Sequence, residues 1–493
     1  MLFNSLDFLI LFPIVVLIYF AVPAKVRYLW LLVISYCFYM SFGPQYVILL
    51  ILITLFTYFT GILIEKCPPK AKKCYIVICL IICLGVLCVF KYSGFVVDNL
   101  NRVLNFFNML PVNKTFNLML PVGISFYTFQ TVGYILDVYR GNIKAERNIA
   151  KYALFVSFFP NILSGPIERG KNILPQIEKL RDIKLWNYDR VTSGAVLMLW
   201  GYFQKMVIAD RVALLVNEVY DNYRIHGAIS IIVATLFFSI QVYCDFASYS
   251  NIAIGAAKIM GIQLMRNFET PYFARSVGEF WHRWHISLST WFKDYLYIPL
   301  GGNRCSKVRH YLNLMIVFLV SGLWHGASWG YAVWGVLHGV YQVVGIQTKQ
   351  FRRRVAEQLQ FKQESFSYKL MQTFMTFSLI GFAWIFFRAE TISQAISMTS
   401  RFFTRWDPWT LFDDSIYTWG LSRKEFWIAL FAIAVMFIVD LVRRVKKQDM
   451  IQLLNAQCIW FRWGLYLSLL FAVLILGQYG PAYDPQIFLY FEF

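Results

Sequence analysis

Apolar stretches of sixteen to twenty residues recur along the whole chain, with short polar stretches between them. A helix of about 20 apolar residues crosses the roughly 30 Å hydrocarbon core of a membrane. Twelve stretches qualify as candidate transmembrane helices: 5–23, 28–44, 46–64, 75–92, 119–138, 191–209, 228–245, 311–329, 331–346, 369–387, 424–442 and 461–478. We therefore expect an all-α polytopic membrane protein with eleven or twelve transmembrane helices, in which residues 1–493 form a single integral membrane domain.

The first stretch, LDFLILFPIVVLIYFAVP, is too long for the apolar core of a signal peptide. It is followed by Lys25 and Arg27 rather than by small residues that would mark a cleavage site. We therefore expect this helix to be retained. Because basic loops stay in the cytoplasm, we also expect the N-terminus to be extracytoplasmic. A shorter run, ALFVSFFPNIL, is predicted to be a re-entrant or interfacial segment.

Composition agrees with this pattern and restricts the function further. The chain is 58% hydrophobic and 15% charged, with a net charge of +19. The basic residues lie in short loops such as EKCPPKAKK, KQFRRR and RRVKK, which is typical of positive-inside topology and of attraction to anionic lipids. A nucleic-acid-binding protein would gather such charge on one soluble face, so we expect no nucleic-acid partner. The nine cysteines have no metal-binding spacing.

The stretch EFWHRWHISLSTWFKDYLYIPLGGNR, residues 279–304, is polar in this apolar context. Helical periodicity predicts an amphipathic helix over 279–295, with an aromatic arc opposite a charged face. His282 lies at the edge of the charged face, whereas His285 lies within the apolar arc. A buried histidine is often only a core residue, but burial also keeps it neutral, the form that a general base needs. His285 is therefore the stronger catalytic candidate.

A second motif, SGLWHGASWGYAVWGVLHG, carries two histidines inside a long apolar region. A histidine within a membrane span indicates function by default, and this makes His325 a catalytic candidate ahead of His338. Gly322 and Gly326 flank His325 and allow close approach of a ligand, although glycines equally favour a kink or tight helix packing. No carboxylate spacing supports zinc binding, so no metal is expected.

A third motif, QVYCDFASYSNIAIGAAKIMG, places Asp245 at the end of a predicted span, near Gln241. A carboxylate at membrane depth is costly unless it is paired, so we expect Asp245 to pair inwards, as a structural lock or as a group that orients the site. Elsewhere, interfacial ion pairs are expected for four charged residues at span edges: Asp137, Arg140, Glu168 and Arg169.

These motifs resemble the membrane-bound O-acyltransferase family. The blocks that carry the resemblance are CDFASYSNIAIG, RWHISLSTWFKDYLYIPLGGNR, SGLWHG and FAWIFFRAETISQA, and it extends from MLFNSLDFLILF to QIFLYFEF. The resemblance implies a ring of tilted helices around a thinned, funnelled centre with a narrow tunnel. It also implies that the histidines of the WHG and RWH blocks, His325 and His285, are the functional pair.

The resemblance further implies a reaction. A cytoplasmic thioester, with acetyl-CoA as the expected donor and no tightly bound cofactor, would supply an acetyl group for O-acetylation of an extracytoplasmic polysaccharide. His325 would act as general base and His285 would orient the thioester or stabilise charge. The expected supporting residues around the tunnel are Asp245, Trp284, Trp324, Ser289 and Gln241. An extracytoplasmic Ser-His-Asp acyltransferase and a glycan synthase or export complex are expected partners, in the cytoplasmic membrane of a bacterium.

Three alternatives remain open at this point. A relative that transfers D-alanine to teichoic acid would share the fold and the histidines but would use a carrier-protein thioester. The two spans after FFRAETISQA favour the polysaccharide branch by resemblance. A transporter would be expected to show membrane-embedded charge pairs or inverted repeats, and the sequence shows none clearly. The last alternative is a non-enzymatic scaffold for an export complex.

Overall fold

The computed structural model describes residues 2–113, 120–480 and 488 of the 493 residues. Within these residues the chain is α-helical and contains no β-strand. Twenty α-helices follow in chain order: α1 (Leu6–Ala21), α2 (Arg27–Met40), α3 (Pro44–Lys66), α4 (Pro69–Phe106), α5 (Ile124–Tyr139), α6 (Ile149–Ser157), α7 (Gly170–Glu178), α8 (Tyr188–Tyr202), α9 (Asp210–Asp221), α10 (Ala228–Ile259), α11 (Val277–Arg283), α12 (Ile286–Phe292), α13 (Lys307–His325), α14 (Trp329–Gln347), α15 (Lys349–Gln358), α16 (Phe366–Arg388), α17 (Ile392–Thr404), α18 (Arg423–Lys446), α19 (Met450–Asn455) and α20 (Ile459–Leu476).

Six of the described helices, α3, α4, α10, α16, α18 and α20, are long and apolar enough to cross a membrane. Each of the twelve predicted spans falls mainly on a helix, with α8 continuing as a π-helix over Phe203–Ala209. The fold class is therefore confirmed as an all-α polytopic membrane protein. The ring around a central funnel and the single domain over 1–493 stay predictions. The first residue of the predicted span 119–138 and the terminal QIFLYFEF, apart from Phe488, lie outside the described residues.

The helices divide into two compact units: Met1–Met198 with Ile252–Met265, and Leu199–Asn251 with Arg266–Phe493. In the first unit, α2 packs on α6, and α3 packs on α4 and α5. Tyrosine hydroxyls form hydrogen bonds between helices in its interior. Tyr152 donates to the Thr57 hydroxyl over 2.8 Å, and Tyr19 donates to the carbonyl of Met260 over 3.0 Å. Such bonds satisfy polar groups that would be costly to leave unpaired in an apolar interior.

Of the four charged residues assigned to span edges, Arg140 is exposed, and the other three lie deeper than their sequence context suggests. Asp137, Glu168 and Arg169 are all buried in the first unit. A Glu168 carboxylate oxygen accepts a hydrogen bond from the backbone N–H of Met265. Burial raises the pKa of Glu168 to about 7, against the opposing effect of its hydrogen bonds and of Arg169. Glu168 is therefore part of the packed interior of this unit.

In the second unit, α13 packs along α14, and α14 packs along α16. Six of its helices begin after a serine or threonine whose side chain accepts a backbone N–H of the first turn: Ser276, Ser306, Ser328, Ser365, Thr391 and Ser422. At Gly322 an added Cβ would lie 2.2 Å from the carbonyl oxygen of Tyr331, so only glycine permits the close approach of α13 and α14. Gly322 therefore serves helix packing.

The end of the third sequence motif differs from the prediction. The span predicted over 228–245 continues as one helix, α10, to Ile259. Asp245 consequently lies inside a 32-residue helix that continues beyond it to Ile259, and it is buried. The helix continues because the residues after Asp245 are mostly small or apolar and include no proline.

Candidate active site

The chain around His285 is not one amphipathic helix. Helix α11 ends at Arg283, and α12 begins at Ile286, with His285 between them at φ +42°. The segment before α11 stabilises this interruption of the helix through two backbone hydrogen bonds. The Ile286 N–H donates to the carbonyl of Asn267 over 2.9 Å, and the Glu269 N–H donates to the carbonyl of Arg283 over 3.0 Å. The prediction of a continuous helix over 279–295 is wrong because it could not include these contacts.

The predicted separation of the two histidines is nevertheless found. His285 is fully buried, whereas His282 is exposed. Burial lowers the pKa of His285 to about 3, because an imidazolium would lose its hydration there. The neutral imidazole is therefore the form present at physiological pH. A left-handed conformation of a non-glycine residue costs of order 1–2 kcal/mol, and such strain is concentrated at functional sites.

Trp324 joins the two candidate histidines. The His285 ring lies 5.9 Å from the Trp324 ring, centroid to centroid, and the His325 ring lies 5.0 Å from it. His325 is the last residue of α13, where the backbone leaves the helix at Gly326. Both imidazoles are buried, and both meet the same indole. The structure thus brings together the histidines of two sequence motifs that are forty residues apart.

Aromatic rings line the rest of this chamber. The edge of the Phe246 ring meets His285 at 4.6 Å between centroids. Trp334 and Phe387 meet His325 at 5.1 and 5.4 Å. All three rings are buried, so the imidazoles lie in surroundings of low polarity, where electrostatic interactions are stronger than in water. The sequence analysis missed Phe246, Trp334 and Phe387, because only the fold shows which aromatic rings face the histidines.

His338 has a different environment. Its Nδ1 accepts a hydrogen bond from the Trp281 indole N–H over 3.2 Å, and its ring is edge-on to Trp281 and Trp334. This bond requires the Nδ1 lone pair and therefore fixes the neutral Nε2–H tautomer of His338. A hydrogen bond and ring packing therefore hold His338 in one orientation. This agrees with the sequence analysis, which placed His338 behind His325 as a catalytic candidate.

The predicted supporting residues occupy several positions in the second unit. Trp284 stacks on Phe280 and packs against Trp384. The Ser289 hydroxyl donates to the carbonyl of Trp284 over 3.2 Å, which stabilises the start of α12. Gln241 is buried on α10, and its Oε1 has no hydrogen-bond partner among the described residues. Trp324, between the histidines, is the supporting prediction that the geometry places closest to them.

Asp245 is paired, as its burial requires. Its Oδ1 lies 2.6 Å from the Nζ of Lys205, and the same Nζ lies 2.9 Å from Oδ1 of Asp210. The three residues, which we call the charge triad, are all buried. Lys205 belongs to the π-helix Phe203–Ala209, and such irregular turns occur frequently at functional sites. Through its chain neighbour Phe246, Asp245 is linked to the packing of His285.

The charge triad also corrects the sequence analysis. The chain was expected to show no clear membrane-embedded charge pair, yet Lys205 lies within the predicted span 191–209. A lysine inside an apolar run is itself a signal that a counter-charge must be near. That signal was present in GYFQKMVIAD and predicts a partner for Asp245.

The described residues contain no group of three or more His, Cys, Asp or Glu side chains placed to hold a metal ion. The chemistry that their arrangement can perform is proton transfer and hydrogen bonding by neutral imidazoles within an apolar chamber.

Comparison with known proteins defines the class to which this fold and site belong. Residues 145–388 match the membrane-bound O-acyltransferase (MBOAT) family. The chain is 34% identical to a probable alginate O-acetylase of Pseudomonas putida over the full length of both chains. It is 33% identical to a peptidoglycan O-acetyltransferase of Helicobacter pylori, over 81% of this chain and 79% of that protein.

A more limited similarity joins the chain to a teichoic acid D-alanyltransferase of Streptococcus thermophilus. The two are 30% identical over 250 residues, 47% of this chain and 58% of the relative. The chain belongs to the membrane-bound O-acyltransferase family and is a multi-pass membrane O-acyltransferase. The family resemblance of the sequence motifs is thereby confirmed.

Proposed function

We propose that the protein takes an acetyl group from a cytoplasmic thioester, acetyl-CoA, and transfers it for O-acetylation of an extracytoplasmic polysaccharide. The observation that carries this proposal is the pair of buried histidines, His285 and His325, on the same Trp324 ring. O-acetyltransferases are also the relatives that share most of the chain, whereas the D-alanyltransferase shares about half.

The reaction requires a base and a group that stabilises negative charge. The acceptor hydroxyl oxygen attacks the thioester carbonyl carbon while His325 removes the hydroxyl proton. The carbon–sulfur bond then breaks, and His325 returns the proton to the leaving thiolate. His325 ends α13, and the carbonyl end of a helix stabilises the positive charge that the imidazole gains in between.

His285 has the complementary role in this proposal. A neutral imidazole can donate one N–H to the thioester oxygen and stabilise the negative charge that develops there. Its low pKa keeps it neutral even next to a second histidine that becomes protonated during the reaction. His285 has a left-handed backbone conformation, unlike the residues of α11 and α12 on either side. Its side chain therefore leaves the backbone in a different direction from the one that a continuous helix would give.

The partners belong to the same proposal. An extracytoplasmic Ser-His-Asp acyltransferase would complete the transfer to the glycan, and a glycan synthase or export complex would present it. The names of the O-acetylating relatives support a polysaccharide acceptor. The N-terminus is proposed to be extracytoplasmic, on the basis of the basic residues after α1.

The test compares three histidine substitutions in cells that acetylate a surface polysaccharide. We expect His325→Ala to reduce acetyl content by about 10²- to 10⁴-fold, the usual contribution of a general base. His285→Gln should reduce it strongly as well, because glutamine cannot reproduce the ring geometry. His282→Ala is the matched control, since His282 is exposed, and it should retain wild-type acetylation.

Two results would contradict the proposal. Undiminished acetylation by His325→Ala would exclude the enzyme mechanism written above. D-alanine in place of acetate on the surface glycan, with loss on the same substitution, would favour the carrier-protein reaction of the teichoic acid branch. Thermal melting of each purified variant separates loss of catalysis from loss of fold.

A further inference from the structure

Two arginines in the first unit lie in the first turn of a helix. Arg27 is the first residue of α2, and Arg190 is the third residue of α8. The N-terminal end of a helix carries partial positive charge, so a cation there is unfavourable unless an anion lies near. Neither guanidinium forms an ion pair with a carboxylate of the residues that the structure describes. The acidic residue in the first turn of α8, Asp189, is exposed and is not ion-paired with either arginine in the described structure.

The two guanidinium groups share one aromatic ring. The Cζ of Arg27 lies 5.1 Å from the Phe20 ring centroid, and the Cζ of Arg190 lies 5.2 Å from it. Arg27 is 8% exposed, and its Cζ also lies 5.4 Å from the centroid of Tyr19. Burial lowers the pKa of Arg190, Tyr19 opposes that effect, and the charge of Arg27 adds to it. Arg190 therefore experiences the like charge of its neighbour.

Backbone carbonyls hold both side chains in place. Arg27 Nη1 donates to the carbonyls of Leu180 and Ile183 over 3.2 and 2.6 Å. Arg190 Nη2 donates to the carbonyl of Leu185 over 2.8 Å. These acceptors are neutral, and Nε of each arginine is buried without a hydrogen-bond partner. Arg27 is buried with an unused donor, which is costly unless an anion compensates its charge, and the half-buried Arg190 adds a second positive charge beside it.

We propose that Arg27 and Arg190 form a binding site for a phosphate group, which we call the Arg27–Arg190 site. Planar guanidinium groups recognise phosphate through paired N–H donors, and two helix N-termini add to the attraction. The site lies between loops whose basic residues assign them to the cytoplasmic face. The phosphate belongs either to an anionic lipid headgroup or to coenzyme A; the coenzyme source rests on the proposed function.

The experiment uses the full-length protein and two probes. Phosphatidylglycerol retention is measured by native mass spectrometry, and coenzyme A binding is measured calorimetrically in phosphatidylcholine nanodiscs. Arg190→Gln removes a charge-assisted hydrogen bond worth about 1.5–3 kcal/mol, so binding of the true ligand should weaken by about 10- to 100-fold. Arg181→Gln is the matched control: Arg181 is exposed and lies 3.7 Å from Asp182, and its loss should change binding less than about twofold.

Each outcome decides the proposal. Weakening in the lipid arm alone assigns the site to a headgroup, weakening in the coenzyme arm alone assigns it to the donor, and weakening in both assigns it to phosphate in general. Equal effects of Arg190→Gln and Arg181→Gln in both arms would overturn it. If Arg190→Gln fails to fold, Arg190→Lys keeps the charge without the paired donors and should still bind more weakly. The lipid arm contains neither thioester nor acceptor, so its result does not depend on the acetyl-transfer proposal.

Discussion

Replacing Lys205 by methionine should destabilise the protein more than any surface charge substitution. Lys205 lies between Asp245 and Asp210, and the three side chains are 7%, 4% and 1% exposed. Methionine keeps the length and removes the charge, so two buried carboxylates lose the Lys205 counter-charge. Breaking a buried ion pair by removing one partner costs about 3–5 kcal/mol. We expect Lys205→Met to lie at the upper end of that range, because both carboxylates lose the same counter-charge.

The two aspartates should respond less strongly than the lysine. Asp245→Asn leaves Lys205 paired with Asp210, and Asp210→Asn leaves it paired with Asp245, so each variant retains a neutral pair. Loss of one contact within such a group costs about 1–3 kcal/mol. The double variant Lys205→Met with Asp245→Asn should recover part of the loss, because it removes one of the two carboxylates that lose the Lys205 counter-charge.

Thermal denaturation of detergent-solubilised protein, followed by size-exclusion chromatography of the surviving fraction, measures this order. Lys369→Met is the matched control. Lys369 pairs with Glu364, which is 92% exposed, and surface ion pairs contribute about 0–1 kcal/mol. The midpoint of Lys205→Met should fall by several degrees, and that of Lys369→Met should remain near the wild type.

The reasoning would be refuted if Lys205→Met melted within about 1 °C of Lys369→Met, or if the double variant were less stable than Lys205→Met alone. Either result would mean that the carboxylates find other compensation in the folded protein. A stable Lys205→Met variant with reduced acetylation would instead indicate that the charge triad positions α10, which carries Phe246 against His285.

Three further results are expected. The pKa of His285 is about 3 in the folded protein and about 6.5 in the unfolded chain, so the unfolded chain binds a proton between these values. Wild-type stability should therefore fall as pH drops from 6.5 towards 3, and His285→Gln should show a shallower fall in melting midpoint. Gly322→Ala should cost about 1–3 kcal/mol, because the new Cβ would lie 2.2 Å from a backbone oxygen of α14, whereas Gly345→Ala meets open space and should be neutral or slightly stabilising in the same melting assay. Trp281→Phe removes the donor to His338 and should cost about 1 kcal/mol, and equal acetylation by the variant and the wild type would confirm that His338 serves structure.

Much of the fold could be predicted because a membrane imposes a length on apolar helices. The predicted stretches from 5–23 to 461–478 fall on helices for this reason. Their ends were less predictable, because packing and not hydropathy decides where a buried helix stops. Helix α10 continues past Asp245 to Ile259, and hydropathy alone cannot include the ion pair with Lys205 that accommodates the buried carboxylate.

The candidate site was predictable in its residues and not in its backbone. Periodicity separated His285 from His282 because burial follows the aromatic arc, whether or not the helix is continuous. The break at His285 depends on backbone hydrogen bonds with Asn267, which accepts, and Glu269, which donates, and both residues lie outside the motif. The meeting of His285 and His325 at Trp324 depends on the packing of separate helices, and only the family resemblance paired these histidines in advance.

The interruption between α11 and α12 limits how this site can be transplanted. The sequence block RWHISLSTWFKDYLYIPLGGNR is continuous, yet the conformation of His285 is supplied by residues 267–269, which precede it. A graft of the block into another helical scaffold would carry the histidine without the backbone direction that aims it. Redesign of the donor or acceptor specificity should therefore treat residues 267–292 as one inseparable cassette and vary the aromatic residues around it.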